Sequence, residues 1–161
     1  DMRHLVITIG CGYGAKGNAI GRKIAEDLNI KFYNRELVDE IIEEVGIPKE
    51  IMENCVIIGR SADYILKDSD KINLLRAFIY APDDVRIHNI MESHNLTEKD
   101  ARILLLEKDK RYHKRHLALT GSNRGDRHNR NILIDSSYLG IEGTADYIEE
   151  LVRRKFGSGE E

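Results

Sequence analysis

The chain has 161 residues, 41% of them hydrophobic and 33% charged, with a formal net charge of −3. That length suits one domain with a sizeable core, and the balance excludes both an intrinsically disordered chain and a wholly basic nucleic-acid binder. Cys11 and Cys55 stand in or beside apolar runs without metal-ligand spacing, and no apolar run approaches membrane-spanning length, so a reduced, cytoplasmic chain with no membrane partner is expected.

Leu5–Ile9 is a β-branched apolar run that predicts a buried strand. Gly10, Gly12, Gly14 and Gly17 follow, and Ala19–Leu28 predicts a helix with Ile20, Ile24 and Leu28 on one face. Phe32-Tyr33 is a short extended piece, and Glu36–Val45 predicts a helix stopped by Gly46 and Pro48. Cys55–Ile58 and Leu75–Tyr80 predict two further buried strands, with one or two helical turns at Ala62–Leu66 between them. Pro82, followed by Asp83 and Asp84, suits the first turn of a helix reaching about Ser93. Thr97 caps the next helix, which runs through Ala101–Glu107 towards His116. A polar stretch, Thr120–Asn131, leads to a strand at Ile132–Ile134 and a closing amphipathic helix, Glu142–Phe156. Strands alternate with helices throughout. The expected fold is one α/β domain over residues 1–161, a mostly parallel sheet with helices on both faces.

The glycines carry the first chemical signal. A strand, a glycine loop and a helix place successive backbone N–H groups and a helix N-terminus around an anion. Gly12-Tyr13-Gly14-Ala15-Lys16-Gly17 supplies the two glycines of the G-x-x-x-x-G-K-[ST] phosphate loop at the right spacing. Asn18 then stands where the lysine belongs and Ala19 where the Ser/Thr belongs, which removes a phosphate charge and a magnesium ligand. Lys16, inside the loop, is the alternative cation. The same residues fit G-x-G-x-x-G, but Asp27 and Glu36 lie on predicted helices rather than at the end of a second strand, so a dinucleotide site ranks lower. A tight glycine turn that binds nothing is the bland alternative.

Four stretches resemble the cytidylate kinase-like family of P-loop proteins. Ile9–Arg22 with Phe32-Tyr33-Asn34-Arg35-Glu36-Leu37 is similar to the family's glycine loop and its F-Y-D-[KR]-E-L segment. Cys55-Val56-Ile57-Ile58-Gly59-Arg60-Ser61-Ala62-Asp63-Tyr64-Ile65-Leu66 resembles its CVIVGRCADYIL block. Leu75–Pro82 with Arg86, and Ile134–Gly143, resemble its later strands. The departures are Asn18 for a basic residue, Asn34 for Asp, and a direct connection at 48–54 where a helical nucleotide-binding insertion is usual. The resemblance implies a three-layer P-loop kinase fold that transfers a phosphoryl group from ATP, with Mg2+, to a nucleoside monophosphate such as CMP or another small acceptor. Gly12, Tyr13, Gly14, Ala15, Lys16, Gly17 and Asn18 would cradle the donor phosphates, with Lys16 in a catalytic role. Arg60, Asp63 and Arg35 would hold the acceptor. A structural Arg–Asp pair is the alternative for Arg60 and Asp63.

Residues 97–131 read as a basic helical lid, with Lys108, Lys110, Arg111, Lys114, Arg115, Arg124, Arg127 and Arg130. Arg111 and Arg115, four apart on one helical face, are the lid arginines expected to act in catalysis. A solvated charged helix or a nucleic-acid patch over 108–130 are the competing readings, and the thin aromatic content disfavours base stacking. His113, His116 and His128 lack metal spacing. Asp135, at the end of the last strand, is either a residue behind a magnesium ion or the cap of the final helix. Asn18 and Ala19 keep open a nucleotide-binding pseudo-kinase or regulator without turnover.

Overall fold

A computed structural model describes residues 3–34, 53–59 and 61–157. Strand β1, His4–Cys11, has Val6, Ile7, Thr8 and Ile9 without exposed surface, as a strand covered on both faces requires. After it come α1 (Gly17–Leu28), β2 (Lys31–Tyr33), β3 (Cys55–Ile58), α2 (Ala62–Leu66) and β4 (Ile72–Tyr80). The second half holds α3 (Asp83–His94), α4 (Glu98–Thr120), a short 3-10 turn (Arg127–Asn129), β5 (Ile132–Asp135) and α5 (Ser136–Phe156).

The five strands run in the order β2-β3-β1-β4-β5, and every pairing is parallel. Successive side chains of a strand face opposite sides, so the sheet feeds two cores. Ile7 and Ile9, with Val56, Ile58, Ala77 and Ile79, pack against Ile20 and Ile24 of α1 and Ala145, Ile148 and Val152 of α5. On the other side Val6, Cys55, Ile57 and Ile72 meet Ala62 and Leu66 of α2. A third cluster, Ile87, Ile90, Ala101 and Leu105, joins α3 to α4. The connection from β1 runs outward to β2, while that from β3 returns across β1 to β4. That reversal opens a crevice at the carboxyl end of β1.

Most predicted elements stand, with shifted ends. The first strand runs on to Cys11, so this cysteine closes a strand and does not sit at a helix N-terminus. Helix α1 begins at Gly17. Pro82 is the residue before α3, one position earlier than expected. Thr97 caps α4 by accepting from Asp100 N at 3.2 Å, and α4 runs on to Thr120. The closing helix starts at Ser136, and a kink at Gly140 (φ 74°, ψ −176°) divides it. The helix expected at Glu36–Val45 and the connection at 48–54 lie outside the described residues.

The seam between α1 and α5 contains a carboxyl pair. Glu149 is 4% exposed, and burial, reinforced by its hydrogen bond with Asp27, pushes its carboxyl from 4.5 up to about 8. Lys23 donates to Asp27 at 2.6 Å and, with Glu149, holds that carboxylate below its ordinary value. Between pH 4.5 and about 8 the unfolded chain releases the Glu149 proton while the fold retains it, so stability falls as pH rises through that window. The fall is of order a few kcal/mol. Replacing Glu149 with Gln is expected to flatten it, read as melting temperature against pH by calorimetry. Parallel curves for both proteins would refute the assignment.

Candidate functional site

The loop that joins β1 to α1 is fixed from several sides. Gly12 N donates to Ile79 O at 2.9 Å, and Ala15 N donates to Gly12 O at 3.0 Å. Ser136 Oγ, at the start of α5, donates to Ala15 O at 2.7 Å, while Asn89 Nδ2 of α3 donates to Gly14 O at 2.8 Å. Gly14 adopts φ +84°, and a Cβ there would lie 2.8 Å from Arg86 O. A Cβ on Gly17 would lie 2.5 Å from Cys11 Sγ, so the helix start and the strand end touch only because position 17 is glycine.

Lys16 occupies the N-cap position of α1 in the left-handed conformation (φ 70°, ψ 24°), and its side chain makes no cap hydrogen bond. A lysine in that conformation carries a strain of about 1–2 kcal/mol, and such strain concentrates at functional positions. The amides of the first helical turn have no partner within the helix and point out of its N-terminus. They open on a pocket of about 200 Å3 lined by Cys11, Gly12, Tyr13, Gly14, Lys16, Gly17 and Asn18 on the loop side, and by Asn89 and Ser93 of α3. Ala15, expected among the cradle residues, is instead fully buried and anchors the loop through its carbonyl.

Arg86 braces the loop from α3. Its Nη1 donates to Tyr13 O at 3.3 Å and to both carboxylate oxygens of Asp109, at 3.1 and 3.0 Å, and its Nη2 donates to Asp83 at 2.9 Å. Tyr13 is held from above as well. Its hydroxyl lies 2.9 Å from His94 Nε2, its ring meets the edge of Tyr112, and Lys108 Nζ sits 5.7 Å from its ring centroid. Helix α4 therefore lies against the glycine loop.

The basic segment divides. Arg111 and Arg115 are exposed on α4, and neither lines the pocket. Arg124 and Arg130 are buried. Arg124 donates to Cys11 O, the carbonyl that leads into the loop, and its guanidinium lies over the rings of Phe78 and Tyr112. Arg130 donates to Ala77 O and Arg124 O and pairs with Asp63 at 3.4 Å. Asp63 has no exposed surface; burial raises its carboxyl above the ordinary value, against the opposing pull of Arg130 and then His116. Among the described residues, the arginine that pairs with Asp63 is Arg130. Arg60 and Arg35 lie outside the described residues. Asp135 caps α5, accepting from Ser137 N at 2.8 Å and Ser137 Oγ at 2.6 Å. Cys55 is buried, and its thiol is pushed up to about 12, so it stays protonated.

Sequence reasoning did not single out Asn89 or Ser93, it named Lys108 only among the lid cations, and it valued Arg86 only through the resemblance. Asn89 and Ser93 are i and i+4 on a helix, a spacing that signals a shared face but not what the face meets.

The sequence model of the cytidylate kinase-like family matches residues 6–54 and 49–138. The chain belongs to that family. It is 25% identical over 158 residues to a cytidylate kinase of Thermococcus sibiricus, an alignment covering 92% of this chain and 80% of that protein. Among solved structures, an uncharacterized protein from Eubacterium ventriosum superposes with a TM-score of 0.83 at 27% identity, covering 94% of this chain and 99% of that one. Shikimate kinases from Bacteroides thetaiotaomicron (TM-score 0.57, 12% identity, 92% and 98% covered) and Acinetobacter baumannii (0.56, 16%, 96% and 96%) share the fold. The architecture is thus that of P-loop kinases, and family membership brings nucleotide binding in general. Among the described residues no helix is long and apolar enough to cross a membrane.

Proposed function

We propose that this chain transfers the γ-phosphoryl of ATP to a nucleoside monophosphate, with CMP the favoured acceptor. The observation that carries the reading is Lys16, strained at the start of α1 and lining the loop pocket. The first-turn amides and the Lys16 ammonium together form a polyanion site, with Lys16 supplying charge where Asn18 supplies none. Gly12, Gly14 and Gly17 let the backbone approach the phosphates. An oxygen of the acceptor phosphate attacks the γ-phosphorus as the bond to the β,γ-bridging oxygen breaks, and ADP leaves. No protein nucleophile is required, because positioning and charge dominate. Arg60, Arg35 and Asp63 remain the proposed acceptor residues; for Asp63 this requires Arg130 to share it with the ligand. Arg111 and Arg115 remain the proposed lid arginines, brought inward by a movement of α4.

Among the described residues, those beside the loop do not build a magnesium site of their own. Ala19 lacks a hydroxyl, and Asp135 caps α5 through Oδ1, which leaves it the proposed place behind a magnesium ion. Among the described residues the cluster of Asp27, Asp146 and Glu149 lies at the far end of α1. Magnesium accompanying ATP would rest on phosphate and water oxygens. The two pieces of the family match overlap at residues 49–54, and a shortened connection there remains the reading of the sequence.

The test is a coupled assay of ADP release against a panel of monophosphates and small hydroxyl acceptors. CMP is expected to give the highest kcat/KM, and Lys16→Met to lower it at least tenfold. Asn18 and Ala19 favour a second reading, a pseudo-kinase that binds ATP without turnover. Flat rates alongside measurable ATP binding would select it. The inward course of Arg124 and Arg130 removes two cations from any nucleic-acid patch over 108–130.

A further inference from the structure

The loop lacks the lysine that follows its last glycine, and one further cation stands over it. Lys108 of α4 is half-buried, with its ammonium 5.7 Å from the ring centroid of Tyr13 and 5.9 Å from that of Tyr112. Among the described residues no carboxylate pairs with it. The nearby Asp109 is engaged by Arg86. Tyr13 itself lines the loop pocket, so the Lys108 charge rests against a residue that borders the proposed phosphate position. Arg111 and Arg115 follow Lys108 at i+3 and i+7, which puts all three on one flank of α4, with Lys108 nearest the loop.

We infer that Lys108 is a donor-phosphate-binding residue, delivered by the lid helix in place of the missing lysine at position 18. This rests on the donor-site reading above. The two rings hold the ammonium by cation–π attraction, which is weak at exposed positions, whereas a charge-assisted contact with a phosphate oxygen is strong. A phosphate chain in the pocket therefore draws the ammonium off the rings, and the flexible four-carbon stem lets it move without the helix. Tyr13 serves as the resting place of the cation. The loop glycines alone do not select a polyphosphate over a single phosphate. A second cation arriving from α4, in addition to Lys16 of the loop, does, so the site should favour ligands with at least two linked phosphates.

The experiment is calorimetric titration of the full chain with ADP, pyrophosphate and adenosine. Lys108→Met is expected to weaken ADP and pyrophosphate about tenfold, to leave adenosine unchanged, and to keep the melting temperature of the parent. Lys108→Arg should retain most of the affinity, and adding Asn18→Lys to Lys108→Met should restore it, which a merely structural role for Lys108 would not allow. Unchanged ADP binding in Lys108→Met overturns the inference while leaving the kinase reading standing. Equal losses for ADP and adenosine overturn it as well. A parent chain that binds neither ADP nor pyrophosphate overturns both readings together.

Discussion

Replacing Arg130 with Met is expected to destabilise the protein by about 3–5 kcal/mol, the usual result of removing one partner of a buried ion pair. Both side chains of the pair are essentially inaccessible, 0% for Arg130 and 1% for Asp63. Without the guanidinium, the buried Asp63 carboxyl is left with the weaker pull of His116, and it must take up a proton to remain buried. The carbonyls of Ala77 and Arg124 lose their donor in the same step. Gly10 records how closely Arg130 fits: a Cβ there would lie 2.7 Å from its Nη2. Denaturant unfolding measures the loss. Combining Arg130→Met with Asp63→Asn should recover part of it, because the double variant buries no charge. If the two losses simply add, the pair does not hold the fold. Burial raises the Asp63 pKa, so the damage in Arg130→Met should shrink as pH falls and the carboxyl is neutralised.

The second large effect is expected at Gly14. An alanine there would hold φ near +84°, costing about 1–2 kcal/mol. Its Cβ would also lie 2.8 Å from the backbone oxygen of Arg86 and 3.2 Å from its Cα, atoms of a helix that cannot yield like a flexible side chain. Overpacking of that kind adds about 1–3 kcal/mol. The sum, about 2–5 kcal/mol, is to be read by denaturant unfolding, and the loop should separate from α3, losing the Asn89 bond to Gly14 O. Donor nucleotide binding should fall at least tenfold under conditions where the variant remains folded, read by titration with MgATP. A stable variant with normal binding would show that the approach of α3 to the loop is not needed.

Some features were legible in the sequence because their cause is local. The run Leu5–Ile9 is β-branched and apolar, so it reads as a covered strand wherever it lies. Gly12, Gly14 and Gly17 mark a tight turn by their backbone freedom alone. Thr97 before Glu98 and Asp100 reads as a cap because a hydroxyl and the third amide beyond it meet in any helix start. The fates of Arg124 and Arg130 were not legible. In the sequence they continue a run of cations ending an exposed helix. Their burial depends on Cys11 O, Ala77 O and Asp63, contributed by β1, β4 and α2, and no spacing records that convergence. Arg111 and Arg115 share one face by helical periodicity. Periodicity fixes which residues share a face, but the docking of Tyr112 and Leu105 decides which face looks inward. The left-handed backbone at Lys16 was hidden for the opposite reason, since lysine carries none of the preference for that region that marks glycine. Asp135 had two readings because a carboxylate suits either a cap or a cation. Its hydrogen bonds to Ser137 show the cap, made through Oδ1, and the place behind a magnesium ion stays a proposal.

The central claim is that the loop between β1 and α1 binds the phosphates of a donor nucleotide. Its most direct measurement is an amide-resolved magnetic-resonance titration of the wild-type chain with MgATP. The account predicts saturable shifts concentrated at Gly12–Asn18, with smaller ones at Asn89 and Ser93, the residues facing the loop across the pocket. Shifts confined to other surfaces, or none at millimolar nucleotide, would contradict it.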